Sequence, residues 1–185
     1  LEPKYQWVAD VLRKEIASGA FQDGQALLTE LELKDRFGVS RQTVRQAISL
    51  LEADGLVQPM TLLFRMVGFD HAAFEAYAAA HSDQWRGVHG LWDLIRQAAM
   101  AGELQLARED MLFFGTPHAG EIAVNSTRVT KVLGTDVWDL SYAEWESRRQ
   151  LRQIVQFLQK RVPGFGAAYN VQSGVQIGVR ETRRI

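Results

Sequence analysis

The chain contains no cysteine, which rules out disulfides, thiolate metal sites and cysteine nucleophiles at once. Proline is sparse, at four residues, and no apolar run approaches the ~18 residues that a membrane span requires. Neither sign of charge is in excess: the formal net charge is −1, and residues 1–59 and 60–185 are each close to neutral. A nucleic-acid role must therefore rest on a local face and not on bulk charge. The early charges Glu2, Lys4, Asp10, Arg13, Lys14 and Glu15 do not read as a signal peptide. Opening at Leu1 and ending at Ile185, the sequence reads as a piece of something longer. What is present is the balance of a globular protein, 46% hydrophobic and 23% charged over 185 residues. That is room for one ordinary domain or two small ones.

The text changes character near residue 60. Of the five tryptophans only Trp7 precedes it, and His71, His81, His89 and His118 all follow it. Only Gln58-Pro59-Met60 marks the seam, and no repeat or low-complexity tract appears. The expected division is a domain over 1–59 and a second segment over 60–185, with an α+β fold overall.

Before the seam, Tyr5, Val8, Ala9, Leu12 and Ile16 recur at helical spacing and predict an amphipathic helix. Gly19 and Asp23-Gly24 stop it. Thr29 followed by Glu32 is a capping box opening a helix over about 30–37, with Leu31, Leu33 and Phe37 as candidate core residues. Gly38 supplies a sharp bend, Ser40 caps, and a third helix is expected over about 41–54. Its inward stripe is Val44, Ala47, Ile48 and Leu51, and Gly55 closes it.

Helix, glycine turn and capped helix are the helix-turn-helix arrangement, whose second helix enters the major groove by its N-terminal end. Arg41 and Arg45, at i and i+4, share an outward face with Gln42. Arginine can take guanine O6 and N7 bidentately, and glutamine can pair with adenine. Ser40, Thr43 and Lys34 are candidates for phosphate contacts.

Several blocks agree together with one family. Gly19-Ala20-Phe21, Asp23-Gly24, Thr29-Glu30-Leu31-Glu32-Leu33, the run from Phe37-Gly38-Val39-Ser40-Arg41 through Ala47, and Leu50-Leu51-Glu52-Ala53-Asp54-Gly55-Leu56-Val57 resemble the GntR family of bacterial transcription regulators over residues 4–58. The resemblance implies a three-helix winged helix-turn-helix domain in which Arg41, Gln42 and Arg45 lie on the DNA-reading helix, with Ser40 and Thr43 near phosphates. Two departures stand out. Leu28 occupies the family's usual proline position, and the Gly-rich wing hairpin that follows Leu56 is missing. A short hairpin of residues 56–58 with 61–63 would supply a substitute.

After the seam, residues 61–67 read as a strand and Asp70 as the cap of a helix carrying Phe74 and Tyr77. Val88, Leu91, Trp92, Ile95 and Ala99 fit a further helix ended by Gly102. Residues 111–114 and 121–124 are expected strands around a turn at 116–120. Ser141 and Glu144 form a second capping box, opening a long helix to about Arg161 that Pro163-Gly164 stops. Residues 169–173 and 175–179 are the last strand candidates. Trp85, Trp92, Trp138 and Trp145 are expected as core or interface aromatics, and Arg148, Arg149 and Arg152 as an ion-paired face with Glu144 and Glu146. The four histidines lack metal-ligand spacing, and no G-x-S-x-G elbow is present.

Thr61-Leu62-Leu63-Phe64-Arg65, Val124-Asn125-Ser126-Thr127-Arg128, Val162-Pro163-Gly164-Phe165 and the ending Gly178-Val179-Arg180-Glu181-Thr182-Arg183-Arg184-Ile185 resemble an internal stretch of the bacterial FAD-dependent oxidoreductases, over most of residues 60–185. The resemblance implies a substrate-side region lying after the dinucleotide-binding half. No G-x-G-x-x-G occurs in the chain, so the stretch is an incomplete fragment: no cofactor is expected unless the missing oxidoreductase parts supply an FAD site. Arg180, Arg183 and Arg184 are the weak candidates for binding an anionic group.

The leading expectation is a cytoplasmic, sequence-specific transcription regulator that binds a double-stranded DNA operator as a homodimer, without a membrane partner and with an unassigned small-molecule effector. Two alternatives stay open: part of a flavin-dependent oxidoreductase, or a composite chain whose two pieces share no function.

Overall fold

A computed structural model describes residues 3–21, 27–54, 59–132, 134 and 136–179. They form an α+β chain of two compact units. The first comprises residues 1–60, 129–143 and 179–185, and the second 61–128 and 144–178.

The first unit is built on three helices: α1 (Lys4–Ala17), α2 (Glu30–Phe37) and α3 (Arg41–Ala53). The helical periodicities converge as expected. Val8, Ala9 and Leu12 of α1, Leu33 of α2, and Val44, Ala47, Ile48 and Leu51 of α3 close one apolar core with Val39. One of the expected core positions falls elsewhere and another packs at the edge. Leu31 is 52% exposed, while its neighbour Glu30 is 5% exposed. Phe37 lies at the core margin, its ring edge-on to Trp7 at 5.4 Å. Arg13 ties α1 to the end of α3 through Asp54, with Nε 2.6 Å from Oδ2. The expected turn at Asp23-Gly24, the cap at Gly55 and the 56–58 side of the short hairpin lie outside the described residues.

The second unit is a six-stranded sheet in the order β2-β3-β4-β5-β1-β6. Its strands are β1 (Phe64–Val67), β2 (Trp85–Arg86), β3 (His89–Gly90), β4 (Met111–Gly115), β5 (Glu121–Val124) and β6 (Tyr169–Ser173). Every pairing is antiparallel. The helices are α4 (His71–Ala80), α5 (Trp92–Met100) and α6 (Val137–Arg161), of which α6 gives residues 144–161 to this unit and 137–143 to the first. Phe64 and Met66 of β1 and Phe113 of β4 pack with Ile95 of α5 and Ile154 and Leu158 of α6. Phe69, Phe74, Phe113 and Phe165 stack in a cluster at centroid distances of 4.6–6.1 Å.

Three expectations after residue 60 need correction. Val88 belongs to the turn of the β2–β3 hairpin and not to α5, which starts after Leu91 in a left-handed conformation (φ 68°). Ser141 is not a cap: α6 begins earlier, Asp136 Oδ1 accepts the amides of Trp138 and Asp139 at 2.9 and 3.1 Å, and the Ser141 hydroxyl donates to the Val137 carbonyl at 2.9 Å. Residues 175–179 form no strand; Gly178 makes a lone bridge to Thr61. Trp138 and Trp145, expected as core or interface aromatics, are 80% and 61% exposed and so lie outside the core.

Beyond β5 the chain is held by side chains that copy a strand's backbone bonds. Ser126 Oγ accepts the Leu112 amide at 2.8 Å and donates to the Leu112 carbonyl at 2.9 Å. Thr127 Oγ1 does the same for Leu62, at 2.6 and 3.1 Å. Gln150 of α6 closes both backbone groups of Arg128, at 2.8 and 3.0 Å. Buried polar atoms are thereby paired with buried backbone groups. Arg148 and Arg149 pair with Glu144 and Glu146 along α6, as the spacing predicts.

Two outcomes test this packing. A Cβ on Gly164 (φ 86°) would sit 2.5 Å from the Asp70 carbonyl oxygen and 3.1 Å from Phe74 Cβ. Gly164→Ala is expected to lower stability by about 1–3 kcal/mol in denaturant titration; an unchanged midpoint contradicts the packing. Glu103 is gripped by Arg161 and Lys160, which lower its pKa from 4.5 to about 2. Because the folded value is depressed, its contribution is complete above pH 4.5 and fades as the pH falls toward 2. The stability gap between the parent and Glu103→Gln is expected to close over that window and to shrink in salt, since the cluster faces solvent.

Candidate nucleic-acid interface

The interface candidate begins at the turn between α2 and α3. Gly38 ends α2 at φ 61°, ψ 37°, a left-handed conformation that disfavours side chains bearing a Cβ. An added Cβ would meet nothing within 4 Å, so the demand is on the backbone and not on space. The expected capping box is formed in full: the Glu32 amide donates to Thr29 Oγ1, and Glu32 accepts the Thr29 amide at 2.7 Å. The Thr29 hydroxyl, 2.7 Å from Glu32 Oε2, and then the Thr29 amide hold the Glu32 carboxyl below its usual range, against the cost of burial.

At the start of α3, Ser40 Oγ accepts the Thr43 amide at 3.1 Å and lies 2.9 Å from Thr43 Oγ1. The amides of Arg41 and Gln42 precede the first intrahelical bond and face outward at the positive end of the helix. Arg41 and Gln42 are exposed, Thr43 is half-buried, and Lys34 is half-buried on α2, 3.4 Å from Asp35.

The two guanidinium groups of α3 converge on one carboxylate. Glu30, the first residue of α2, lies 3.2 Å from Arg45 Nε and 3.3 Å from Arg41 Nε. Arg45 is also faced by Asp139 at 3.2 Å and Asp136 at 4.0 Å. Arg41 keeps 59% of its side chain exposed and Arg45 36%. Burial opposes the Arg45 charge, but the hydrogen bond to Glu30 and the fields of Asp139, Glu30 and Asp136 outweigh it and raise its pKa. Asp136 is held low by the Asp139 amide, against the cost of burial, with help from the Trp138 amide, Arg45 and Arg41.

Sequence reasoning missed Glu30, Asp136 and Asp139. Glu30 had a signal: an acid between Thr29 and Leu31 at the first helical position, where the helix dipole favours it. For Asp136 and Asp139, far along the chain from Arg45, no local pattern carries the pairing.

The second unit carries a separate apolar recess of about 290 Å³ lined by Phe69, Phe74, Trp85 and Phe113, with His71 and Glu75 also lining it. Among the described residues no group of three or more His, Asp or Glu side chains is placed to hold a metal ion. Arg180, Arg183 and Arg184 lie outside the described residues. The described residues do not fit a dinucleotide cradle. Such a site needs a glycine-rich turn from a strand into a helix within a parallel βαβ unit. Here all strand pairings are antiparallel, and the turn from β1 into α4 is capped by Asp70, whose carboxylate takes the Ala73 amide at 3.1 Å and would repel a pyrophosphate. No helix among the described residues is long and apolar enough to cross a membrane.

Residues 4–60 match the family described as bacterial regulatory proteins, gntR family, and residues 50–185 match the family described as FAD dependent oxidoreductase. The mannosyl-D-glycerate transport/metabolism system repressor MngR of Escherichia coli is 32% identical over 95 residues, covering 44% of this chain and 40% of that protein. The Uxu operon regulator of Haemophilus influenzae is 39% identical over 54 residues, covering 29% and 20%. The HTH-type transcriptional repressor NagR of Bacillus subtilis is 40% identical over 55 residues, covering 30% and 23%. The matched stretches thus span well under half the length of each of these regulators. No solved structure matches the chain. With the helix-turn-helix in place and the two matches overlapping at residues 50–60, the chain carries a GntR-family DNA-binding domain at its N-terminal end and, over residues 50–185, belongs to the FAD dependent oxidoreductase family.

Proposed function

We propose that the chain acts as a sequence-specific DNA-binding transcription regulator that docks α3 in the major groove of an operator. The observation that carries this reading is the exposed pair Arg41 and Gln42 on the first turn of a capped helix held over a trihelical core by the Gly38 turn. Arg41, Gln42 and Arg45 read base edges, each bidentate arginine contributing about 1–3 kcal/mol of discrimination. Lys34, Ser40 and Thr43 set the phosphate register, Ser40 through its position beside the outward amides of α3.

One such head offers few contacts, so tight binding calls for a homodimer on a palindromic site with half-sites about 34 Å apart. The regulator works in the cytoplasm, and its small-molecule effector is unassigned. It carries no cofactor of its own, FAD requiring the remaining parts of an oxidoreductase. The family match over residues 50–185 favours one rival, an oxidoreductase fragment. A purified chain with flavin absorbance that leaves duplex DNA unshifted would favour that rival.

Binding of the chain to a duplex chosen from a random pool tests the reading by fluorescence anisotropy. Arg45→Ala is expected to flatten base preference, with Lys34→Ala weakening all sequences alike and lowering the salt slope by about 0.9. An unaltered preference in Arg45→Ala contradicts the assignment.

The acids facing Arg45 give a second outcome. Asp136→Asn combined with Asp139→Asn removes two negative charges beside a reading arginine, and asparagine keeps the cap on α6. DNA affinity is expected to rise about threefold to tenfold at low salt. A fall in affinity with unchanged melting temperature would show that these carboxylates position Arg45 productively instead.

A further inference from the structure

The chain that leaves α3 finds its partner far along the sequence. Met60 and Val129 exchange both backbone hydrogen bonds, the Met60 amide to the Val129 carbonyl at 3.0 Å and the reverse at 2.9 Å. Both side chains are 2% exposed. The segment that follows Val129 is thereby fixed within the first unit, alongside α3.

Two residues on, Lys131 adopts a left-handed backbone, φ 63°, which a side chain with a Cβ takes at a cost of about 1 kcal/mol. The conformation is held by its amide, which donates to Glu52 Oε2 at 3.1 Å. Glu52 sits on the last turn of α3 and is 5% exposed. Val132 is buried at 8%. The backbone is clamped on both sides of Lys131 while the Lys131 residue itself remains exposed.

That side chain lines a recess of about 450 Å³ with Tyr5, Gln42, Arg45, Gln46 and Ser49, on the outward side of α3. Ser49 Oγ has no hydrogen-bond partner among the described residues. The charges facing the recess are Arg45, itself faced by Glu30, Asp136 and Asp139, and Lys131, whose ammonium pairs with no carboxylate among the described residues. Arg45 is partly offset by these carboxylates where it stands, and Lys131 adds a second cation to the recess for a polyanion seated on α3.

We infer that residues 129–132 form a DNA-contacting flank of the reading helix, with Lys131 a phosphate-contact residue on the same duplex that α3 reads. This inference rests on the regulator reading above. It places a DNA contact inside the stretch that matches an oxidoreductase family. A lysine whose backbone is anchored to the end of α3 has only its side chain to order against a backbone phosphate, and each phosphate so neutralised contributes about 0.9 to the salt slope.

Four variants of the chain, measured with the selected duplex across a salt series, decide it. Lys131→Ala and Lys131→Gly are each expected to bind about three- to tenfold more weakly at moderate salt, with a salt slope smaller by about 0.9 and unchanged base preference. Lys131→Gly also relieves the left-handed backbone, so its melting temperature should not fall; weaker binding by a chain at least as stable is an effect of charge. Lys131→Arg should retain affinity, and Lys131→Glu should lose more than alanine does. Parental affinity and slope in the alanine, glycine and glutamate variants, with a parent that does bind the duplex, overturn the flank alone. A parent that binds no duplex overturns the regulator reading and the flank with it.

Discussion

A buried carboxylate organises the N-terminal unit. Glu30 opens α2 and is nearly inaccessible to solvent, with two guanidinium groups beside it. A buried charge is tolerated when it is paired, and removal of its partners costs several kcal/mol because the remaining ion cannot be rehydrated. Its partners are Arg41 and Arg45, both on α3. The same contacts that pair Glu30 therefore fix the spacing of the two helices and narrow the conformations open to both guanidinium groups. A reading helix gains from this, since side chains held before binding lose less freedom on binding. The arrangement also limits Arg45, whose charge is shared with Asp136 and Asp139 and is only partly offered outward.

The second unit solves a different problem. Its sheet is antiparallel throughout, and beyond β5 the chain runs on without a regular ladder. Ser126, Thr127 and Gln150 supply the missing donors and acceptors. The Asn125-Ser126-Thr127-Arg128 run, part of the oxidoreductase resemblance, thus has a structural reason to be what it is. Two hydroxyls that can both donate and accept each stand in for the amide and carbonyl of an absent strand.

Local chemistry made the first unit legible. The Thr29–Glu32 box, the Gly38 bend and the inward stripe of α3 each act within a few residues, and each is found where the sequence places it. Long-range pairing was not legible. Glu30 is buried and Leu31 exposed, the reverse of what hydrophobicity suggests, because the partners of Glu30 lie on another helix. The same cause moved the start of α6: Ser141 and Glu144 have capping spacing, but Asp136 lies upstream and takes the amides first. The hairpin of β2 and β3 has two residues per strand, too few for any alternation to show. Trp138 and Trp145 show that a large aromatic does not by itself mark a core position. Of the candidate site, the α3 residues were visible from the sequence, and the acids and Lys131 around them were not.

The account stands on a rigid three-helix head whose capped α3 recognises base edges. The most direct measurement is selection of duplexes from a random pool by the purified chain, followed by methylation interference on the enriched sites. The account predicts a short recurring motif in which N7 methylation of one or two guanines abolishes binding, since the arginine contacts need that atom. Retention of the pool without enrichment, or enriched sites indifferent to N7 methylation, would contradict it.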